Sequence, residues 1–221
     1  MKVVILAGGF GTRISEESVV NPKPMVEIGG MPILWHIMKG YSEFGFNEFI
    51  ICAGYKQHVI KEWFADYFLH TSDITFDYTG DEKEVIVHNK HTEHWKVTVV
   101  DTGLNTATGG RIKKIKEYVG NDTFMLTYGD AEGNVDIKEL VEYHKRNNRI
   151  GTISMFNFGQ SKGVVEFGKD GLIEAFREKS QSDGDLINIG FMVMESTIFD
   201  YIDGDDISFE KEPLRKLVEE Q

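Results

Sequence analysis

The chain has 221 residues, of which 41% are hydrophobic, and its 24 Lys and Arg against 36 Asp and Glu give a net charge of −12. This length and composition predict a soluble globular unit with a sizeable core. The acidic balance argues against nucleic-acid binding, which needs a basic face. No apolar run reaches membrane-spanning length, and no signal-peptide pattern is present, so we expect a cytoplasmic protein without membrane contact.

Apolar runs between turn residues predict the secondary structure along the chain. The predicted strands are Val3–Ala7, Glu48–Ala53, Ile74–Tyr78, Lys96–Asp101, Thr123–Tyr128, Ile150–Phe156, Gly163–Phe167, Ile173–Arg177 and Leu186–Met194. The predicted helices are Pro32–Phe44, Gln57–Leu69, Gly110–Val119, Ile137–Asn147, Ser196–Ile202 and Phe209–Glu219. The order favours an α/β fold, with a Rossmann-like mixed, mostly parallel central sheet flanked by helices. Short strands and clustered turns after residue 150 predict a small antiparallel lobe within one domain, 1–221.

A glycine-rich segment follows the first strand directly, Gly8-Gly9-Phe10-Gly11-Thr12-Arg13. Glycines at the carboxyl end of a strand let the backbone approach an anion with its N–H groups. Thr12 adds a hydroxyl group, and the planar guanidinium of Arg13 suits phosphate. The spacing lacks the third glycine of the dinucleotide fingerprint and the lysine of the Walker motif.

Lys23 lies between Pro22 and Pro24, which stiffen the chain around its ammonium group. Together with the glycine-rich segment, it predicts a site that handles nucleotide phosphates. The segments Asp101–Gly103 and Tyr128–Asp130 also follow apolar strands, so we expect all these groups to meet in one cleft.

Asp130 is the best candidate metal ligand, because an apolar strand delivers it to the edge of the sheet. Mg²⁺ binds one or two protein carboxylates together with phosphate oxygens and water. The alternative interpretation is an ordinary turn aspartate. We expect Asp101 to order its turn without taking part in chemistry.

Other candidate centres are weaker. Cys52 lies in an apolar run, which predicts a buried core thiol. The spacing of His88, His91 and His94 is typical of a polar loop and not of a zinc site. The segment Asp203–Asp206 is typical of a solvated turn, because it lacks the length of a calcium loop.

Several long strings make the chain similar to the sugar-phosphate nucleotidyltransferases, most of all to the glucose-1-phosphate cytidylyltransferases within that family. They are Leu-Ala-Gly-Gly-Phe-Gly-Thr-Arg at 6–13, Pro-Lys-Pro-Met-Val-Glu at 22–27, Phe-Ile-Ile-Cys-Ala-Gly-Tyr-Lys at 49–56, Thr-Gly-Gly-Arg at 108–111, Thr-Tyr-Gly-Asp at 127–130 and Glu-Pro-Leu at 212–214.

The resemblance implies a role for each matching residue. Arg13, Lys23 and Asp130 would be catalytic, with Asp130 also the ligand of Mg²⁺. Acceptor binding would fall to Lys179, Asn188 and Gly190. Residues 1–150 would form the nucleotide part and 151–221 the acceptor-side lobe. The nucleotide would be bound by Leu6, Ala7, Gly8, Gly9, Gly11, Thr12, Thr106, Gly109, Gly110, Arg111, Tyr128 and Gly129. A glycine pair that opens a helix would offer free N–H donors.

Departures from the family pattern fall on the acceptor side. Ser180 replaces a usual proline and Ile189 a common glycine. The family pattern continues past Glu-Pro-Leu with an aspartate that supplies a second metal ligand, and that segment is not among these residues. Asp183 and Asp185 are weak substitutes.

The resulting expectation is a Mg²⁺-dependent enzyme that transfers CMP from CTP to a phosphorylated acceptor and releases pyrophosphate, in bacterial surface polysaccharide or capsule biosynthesis. The acceptor would be a sugar-1-phosphate such as glucose-1-phosphate or a small non-sugar phosphate. The alternatives are a preference for UTP or dTTP and a non-catalytic nucleotide-binding regulator. Family members are commonly oligomeric, so a homo-oligomer is one alternative, and the sequence leaves the oligomeric state open.

Overall fold

A computed structural model describes residues 1–10, 21–88, 92–157, 164–167, 173–177 and 186–220. Its strands are β1 (Lys2–Ala7), β2 (Glu27–Ile28), β3 (Met31–Pro32), β4 (Glu48–Ala53), β5 (Ile74–Asp77), β6 (Glu84–Val87), β7 (Lys96–Asp101), β8 (Phe124–Tyr128), β9 (Gly151–Asn157), β10 (Val164–Phe167), β11 (Ile173–Arg177) and β12 (Leu186–Met194). Its α-helices are α1 (Ile33–Glu43), α2 (Gln57–Ala65), α3 (Tyr67–Thr71), α4 (Thr108–Lys114), α5 (Lys116–Val119), α6 (Ile137–Asn147) and α7 (Pro213–Glu219). Short 3₁₀ helices span Lys23–Met25 and Ser196–Tyr201.

The central sheet has six strands in the order β7-β4-β1-β8-β12-β9. Strands β7, β4, β1 and β8 are parallel, and β12 runs antiparallel to both β8 and β9. The pairs β2-β3, β5-β6 and β10-β11 form small antiparallel sheets. The predicted α/β class with a mostly parallel sheet and antiparallel additions is therefore confirmed.

Both faces of the central strands are buried, which explains their continuous apolar sequences. Successive residues of β1 alternate between two cores: Val3 and Ile5 pack on the face that α1 covers, and Val4 packs on the face that holds Ile112 and Phe199. Cys52 is fully buried in the second core, as predicted, and burial raises the pKa of its thiol to about 12.

Three predicted helices differ from the observed helices by more than one residue, and the predicted helix Ser196–Ile202 is a 3₁₀ helix at Ser196–Tyr201. The predicted helix Gln57–Leu69 breaks at Asp66, and Gly110–Val119 begins two residues earlier and breaks at Ile115. The segment from Phe209 is not helical until Pro213, and the Phe209 N–H donates to Thr108 Oγ1 at 2.9 Å. This contact joins the segment to a distant part of the chain, which sequence periodicity cannot report.

The order of the strands locates the site. The chain runs from β1 outward through β4 to β7 and then returns to β8 on the other side of β1. The direction of winding therefore reverses between β1 and β8, and ligands of such sheets bind at this switch point, beyond the carboxyl ends of the strands. The glycines after β1 and the Gly129-Asp130 pair after β8 both lie at this position.

In the described part of the chain, no helix is both long and apolar enough to cross a membrane.

Candidate active site

A cavity of about 690 Å³ opens at the switch point. Gly8 and Gly9 after β1, Lys23, and Tyr128–Asp130 of β8 and its end meet here, as predicted. The predicted segment Asp101–Gly103 does not line the cavity; the residues that follow it, Leu104 to Thr108, do. The lining residues are Leu6, Ala7, Gly8, Gly9, Phe10, Lys23, Pro24, Leu104, Asn105, Thr106, Ala107, Thr108, Arg111, Tyr128, Gly129, Asp130 and Glu210.

Arg111 lies beneath this cavity and joins the ends of three strands. Its guanidinium donates to the Gly8 carbonyl at 2.9 Å, to the Gly103 carbonyl at 2.7 Å and to Thr102 Oγ1 at 2.7 Å. Further contacts reach the carbonyls of Ala53 and Leu104 at 3.4 and 3.2 Å. The side chain is 4% exposed, and burial lowers its pKa, although the group stays charged at neutral pH.

Two glycines make room for this guanidinium. A Cβ atom on Gly8 or on Gly54 would lie 2.1 or 2.4 Å from Arg111 Nη1, well inside van der Waals contact. The absence of a side chain at Gly8 therefore makes room for the Arg111 guanidinium, in addition to any room that it leaves for a ligand. A nucleotide contact by Arg111 remains a prediction; the observed contacts give it a positioning role.

The turn after β7 is ordered by its own aspartate, as predicted. Asp101 Oδ1 accepts a hydrogen bond from the Gly103 N–H at 2.9 Å. Hydrogen bonds from the Gln57 side chain and from this N–H lower the pKa of Asp101. The following residues, Leu104 to Thr108, then run along the cavity.

The first glycine of the pair at the start of α4, Gly109, does not offer the free N–H donor that the sequence predicted. The Gly109 N–H donates to the Ile207 carbonyl at 2.8 Å. A Cβ atom on Gly109 would lie 2.6 Å from the Ile207 oxygen, and one on Gly110 would lie 2.3 Å from the Asp205 oxygen. The pair therefore allows the segment before α7 to pack against α4, and its nucleotide-binding role remains a prediction.

Lys23 and Asp130 meet at the cavity. Lys23 begins a 3₁₀ turn that the Met25 N–H closes on the Pro22 carbonyl at 2.8 Å. Its Nζ lies 2.5 Å from Asp130 Oδ2, and the two side chains are 24% and 39% exposed. A partly exposed ion pair contributes little stability, so phosphate and a cation can replace the two partners at small cost.

The donor set at Asp130 fits Mg²⁺. Its exposed carboxylate lies on a cavity with room for phosphate oxygens and water, which complete the coordination that Mg²⁺ prefers. The other cavity carboxylate, Glu210, already accepts hydrogen bonds on both oxygens. Among the described residues, no three His, Cys, Asp or Glu side chains are grouped as metal ligands. His88 instead contacts Thr75 Oγ1 at 2.9 Å.

Asn188 and Gly190, the predicted acceptor residues, lie beside Tyr128. Gly190 has φ +90°, and a Cβ atom there would meet the Tyr128 ring at 2.4 Å. Asn188 Oδ1 accepts from the Gly190 N–H at 2.8 Å, and its Nδ2 lies 3.5 Å from the Tyr128 hydroxyl oxygen. The predicted residues Gly11, Thr12, Arg13 and Lys179, with Asp183 and Asp185, lie outside the described residues.

Sequence reasoning missed Glu210, which lies on the cavity wall between the predicted nucleotide and acceptor residues. Its carboxylate accepts from the Tyr128 hydroxyl at 2.7 Å and from Thr108 Oγ1 at 2.8 Å. The available signal was its place two residues before Glu-Pro-Leu, one of the strings that carry the resemblance.

The packing around Arg111 yields a stability prediction. Gly54→Ala should lower the free energy of unfolding by about 1–3 kcal/mol, the usual effect of overpacking, because the new Cβ would lie 2.4 Å from Arg111 Nη1 and 2.7 Å from the Gly103 oxygen. Urea unfolding measures the change.

The matched control is Gly40→Ala in α1, where the nearest atom would lie 3.9 Å away. Alanine is the better helix former, so this variant should be unchanged or about 0.5–1 kcal/mol more stable. Equal losses in both variants would contradict the role assigned to Gly54.

Comparison with known proteins relates the chain to enzymes. It is 49% identical to the glucose-1-phosphate cytidylyltransferase of Salmonella typhimurium, and the alignment covers all of this chain and 85% of that protein. It is 42% identical, with the same two coverages, to the probable glucose-1-phosphate cytidylyltransferase of Bacillus subtilis. The resemblance found in the sequence is thus confirmed.

Solved structures share the fold. The crystal structure of HddC from Yersinia pseudotuberculosis complexed with GMP-PN superposes with a TM-score of 0.68 at 26% identity, over 97% of this chain and 85% of that one. A UDP-glucose pyrophosphorylase complexed with UDP-glucose superposes with a TM-score of 0.67 at 18% identity, over 100% and 87%, and supports the fold alone. The nucleotidyl transferase family matches residues 2–220. The chain therefore belongs to the nucleotidyl transferase family and is an enzyme of that class.

Proposed function

We propose that this enzyme transfers CMP from CTP to a sugar-1-phosphate, with glucose-1-phosphate as the first candidate, and releases pyrophosphate. The relatives named glucose-1-phosphate cytidylyltransferase, at 42–49% identity over the whole chain, support the base and the acceptor. The observation that carries the chemistry is the Lys23–Asp130 pair at the mouth of the switch-point cavity.

In the proposed reaction, an oxygen of the acceptor phosphate attacks the α-phosphorus of CTP. A new phosphorus–oxygen bond forms as the bond between the α-phosphorus and the bridging oxygen breaks, and the electron pair leaves with pyrophosphate. A phosphate monoester is mostly dianionic near neutral pH, so the attacking oxygen carries no proton that a base must remove. Catalysis then consists of positioning and charge stabilisation.

Lys23 would supply the positive charge at the reacting phosphorus. Its ammonium group, released from Asp130, can bridge the α-phosphate and the incoming phosphate. Two anions must approach each other there, so one fixed cation between them reduces their repulsion. The short turn at Lys23–Met25 limits the positions that the lysine can take.

Asp130 would hold Mg²⁺ against the nucleotide phosphates. When bound, the ion neutralises negative charge that builds up on the phosphate oxygens. Gly8 and Gly9 line the same cavity as this carboxylate, so their backbone N–H groups could approach the same phosphates. Arg13, Gly11 and Thr12 would complete the phosphate site, and Lys179 would bind the acceptor phosphate; these roles rest on the resemblance alone.

The proposal also includes the wider expectations that no comparison tests. They are one domain with its nucleotide part in residues 1–150, a homo-oligomeric state, a cytoplasmic location and a role in surface polysaccharide or capsule biosynthesis.

A pyrophosphate-release screen tests the function. CTP, UTP, dTTP, ATP and GTP are each combined with sugar-1-phosphates and small non-sugar phosphates, with Mg²⁺ or with EDTA. We expect turnover with CTP and glucose-1-phosphate that EDTA abolishes. Turnover only with another base would overturn the CTP assignment, turnover only with a non-sugar phosphate would overturn the acceptor, and CTP binding without turnover would indicate a regulator.

Lys23→Met should reduce kcat by roughly 10²-fold or more, the usual effect of losing one preorganised stabilising group. The matched control is Lys96→Met, which removes an exposed lysine paired with Glu48 at the start of β7. The same assay should give an unchanged kcat for it. Comparable losses in the two variants would show that Lys23 acts only through overall charge.

Asp130→Asn should raise the Mg²⁺ concentration needed for half-maximal rate by roughly tenfold or more, since a contact with a charged group is worth about 1.5–3 kcal/mol. A Mg²⁺ titration of the initial rate measures this. Asp122→Asn, at the opposite end of β8 and 74% exposed, serves as the control. An unchanged Mg²⁺ requirement in Asp130→Asn would rule out the carboxylate as the ligand.

A further inference from the structure

Glu210 connects three parts of the cavity wall. It lies in the segment between the 3₁₀ helix Ser196–Tyr201 and α7. Its Oε1 accepts from the Tyr128 hydroxyl at 2.7 Å, and its Oε2 accepts from Thr108 Oγ1 and from Ser208 Oγ, each at 2.8 Å. The carboxylate thus joins the segment that opens α4 to the end of β8.

These hydrogen bonds keep the carboxylate ionised. Burial alone would raise the pKa of Glu210, but the hydrogen bonds from Tyr128, Thr108, its own backbone N–H and Ser208 outweigh burial and lower it. An ionised carboxylate has no proton to donate. The proton of the Tyr128 hydroxyl must therefore point to Glu210, and burial followed by this bond raises the pKa of Tyr128 well above its usual range.

The neighbouring amide has a fixed orientation as well. Asn188 Oδ1 accepts from the Gly190 N–H, which turns Nδ2 toward the Tyr128 oxygen. Tyr128 lines the cavity, and with its proton already committed its hydroxyl oxygen can only accept a hydrogen bond from a ligand. Asn188 Nδ2 beside it can only donate.

We propose that Glu210 is a positioning residue that fixes the Tyr128 hydroxyl as a hydrogen-bond acceptor, so that this part of the cavity selects a ligand that presents a hydroxyl group. The hydroxyl belongs either to the acceptor sugar or to the ribose of the nucleotide. The inference rests on the proposed function for the identity of these ligands, and its test uses binding instead of turnover.

Glu210→Gln changes the direction of the hydrogen bond at almost constant shape. Thr108 and Ser208 both donate to one oxygen, and Thr108 itself accepts from the Phe209 N–H. Both hydroxyls keep their hydrogen bonds if the amide oxygen of glutamine faces them, and we expect this orientation, in which the NH₂ group faces Tyr128. The Tyr128 hydroxyl would then accept from the introduced amide and turn its proton into the cavity.

Replacing a hydroxyl group of the ligand by fluorine detects this reversal, because fluorine can accept a hydrogen bond but cannot donate one. Calorimetry gives the dissociation constants of glucose-1-phosphate and of CTP, and of analogues in which each sugar or ribose hydroxyl is replaced in turn by fluorine. In the native enzyme, one replacement should weaken binding by roughly tenfold, as expected for one lost hydrogen bond beside a buried acceptor. The ligand on which it falls identifies the source of the hydroxyl.

In Glu210→Gln the same fluorine replacement should change the dissociation constant little, since the freed Tyr128 hydroxyl can donate its proton to fluorine. The control Glu212→Gln removes a carboxylate from an exposed position of the same segment. In this variant, the ratio of the dissociation constant of the fluorinated ligand to that of the unmodified ligand should equal the ratio in the native enzyme. Adding Tyr128→Phe to the native enzyme and to Glu210→Gln should remove the difference between the two, which shows that Glu210 acts through Tyr128.

The inference is overturned if the ratio at every position is the same in the native enzyme and in Glu210→Gln, or if it changes equally in Glu212→Gln. A Cζ chemical shift of Tyr128, assigned with Tyr128→Phe, that does not move in Glu210→Gln would overturn it as well, and needs no ligand. Absence of turnover in the native enzyme would overturn the proposed function but not this inference.

Discussion

The placement of the Arg111 guanidinium is the constraint on which the rest of the site depends. One buried cation donates hydrogen bonds to groups at the ends of β1, β4 and β7, and to the Leu104 carbonyl on the cavity wall. A buried charge is costly unless its donors are paired. As long as Arg111 keeps these hydrogen bonds, the strand ends keep their relative positions. The cavity that they border then keeps its shape.

The same close approach of backbone segments recurs beside β8. Gly129 donates its N–H to the Leu6 carbonyl at 2.9 Å, and a Cβ atom there would lie 2.9 Å from that oxygen. The ends of β1 and β8 can thus approach closely, which brings Asp130 within reach of Lys23. The chain carries a net charge of −12, so the proposed phosphate chemistry would depend on local cations such as Lys23.

Secondary structure was predictable where burial alone decides it. The runs at Glu48–Ala53, Lys96–Asp101 and Leu186–Met194 have their predicted bounds. Strand β4 is buried on both faces and is therefore a nearly continuous apolar run. The break between α2 and α3 was not predictable from the sequence. The ring centroids of Trp63 and Tyr67 lie 4.9 Å apart, and Tyr67 stacks on the distant Trp95 with a centroid distance of 5.9 Å. Periodicity reports which face is apolar, and not what the face meets.

The sequence by itself determined the α/β class and the family, because strand patterning and local motifs suffice for these. It also placed Lys23 between two prolines and Asp130 directly after an apolar strand. Only the tertiary structure decided that Arg111 binds backbone carbonyls, that Gly109 and Gly110 admit the segment 205–207, and that Glu210 reaches Tyr128. Arg111 reaches the Ala53 and Gly8 carbonyls, 58 and 103 positions away, and Glu210 meets Tyr128 across 82 positions. No local pattern specifies which distant carbonyl or hydroxyl a side chain meets, since that depends on how the strands are ordered and packed.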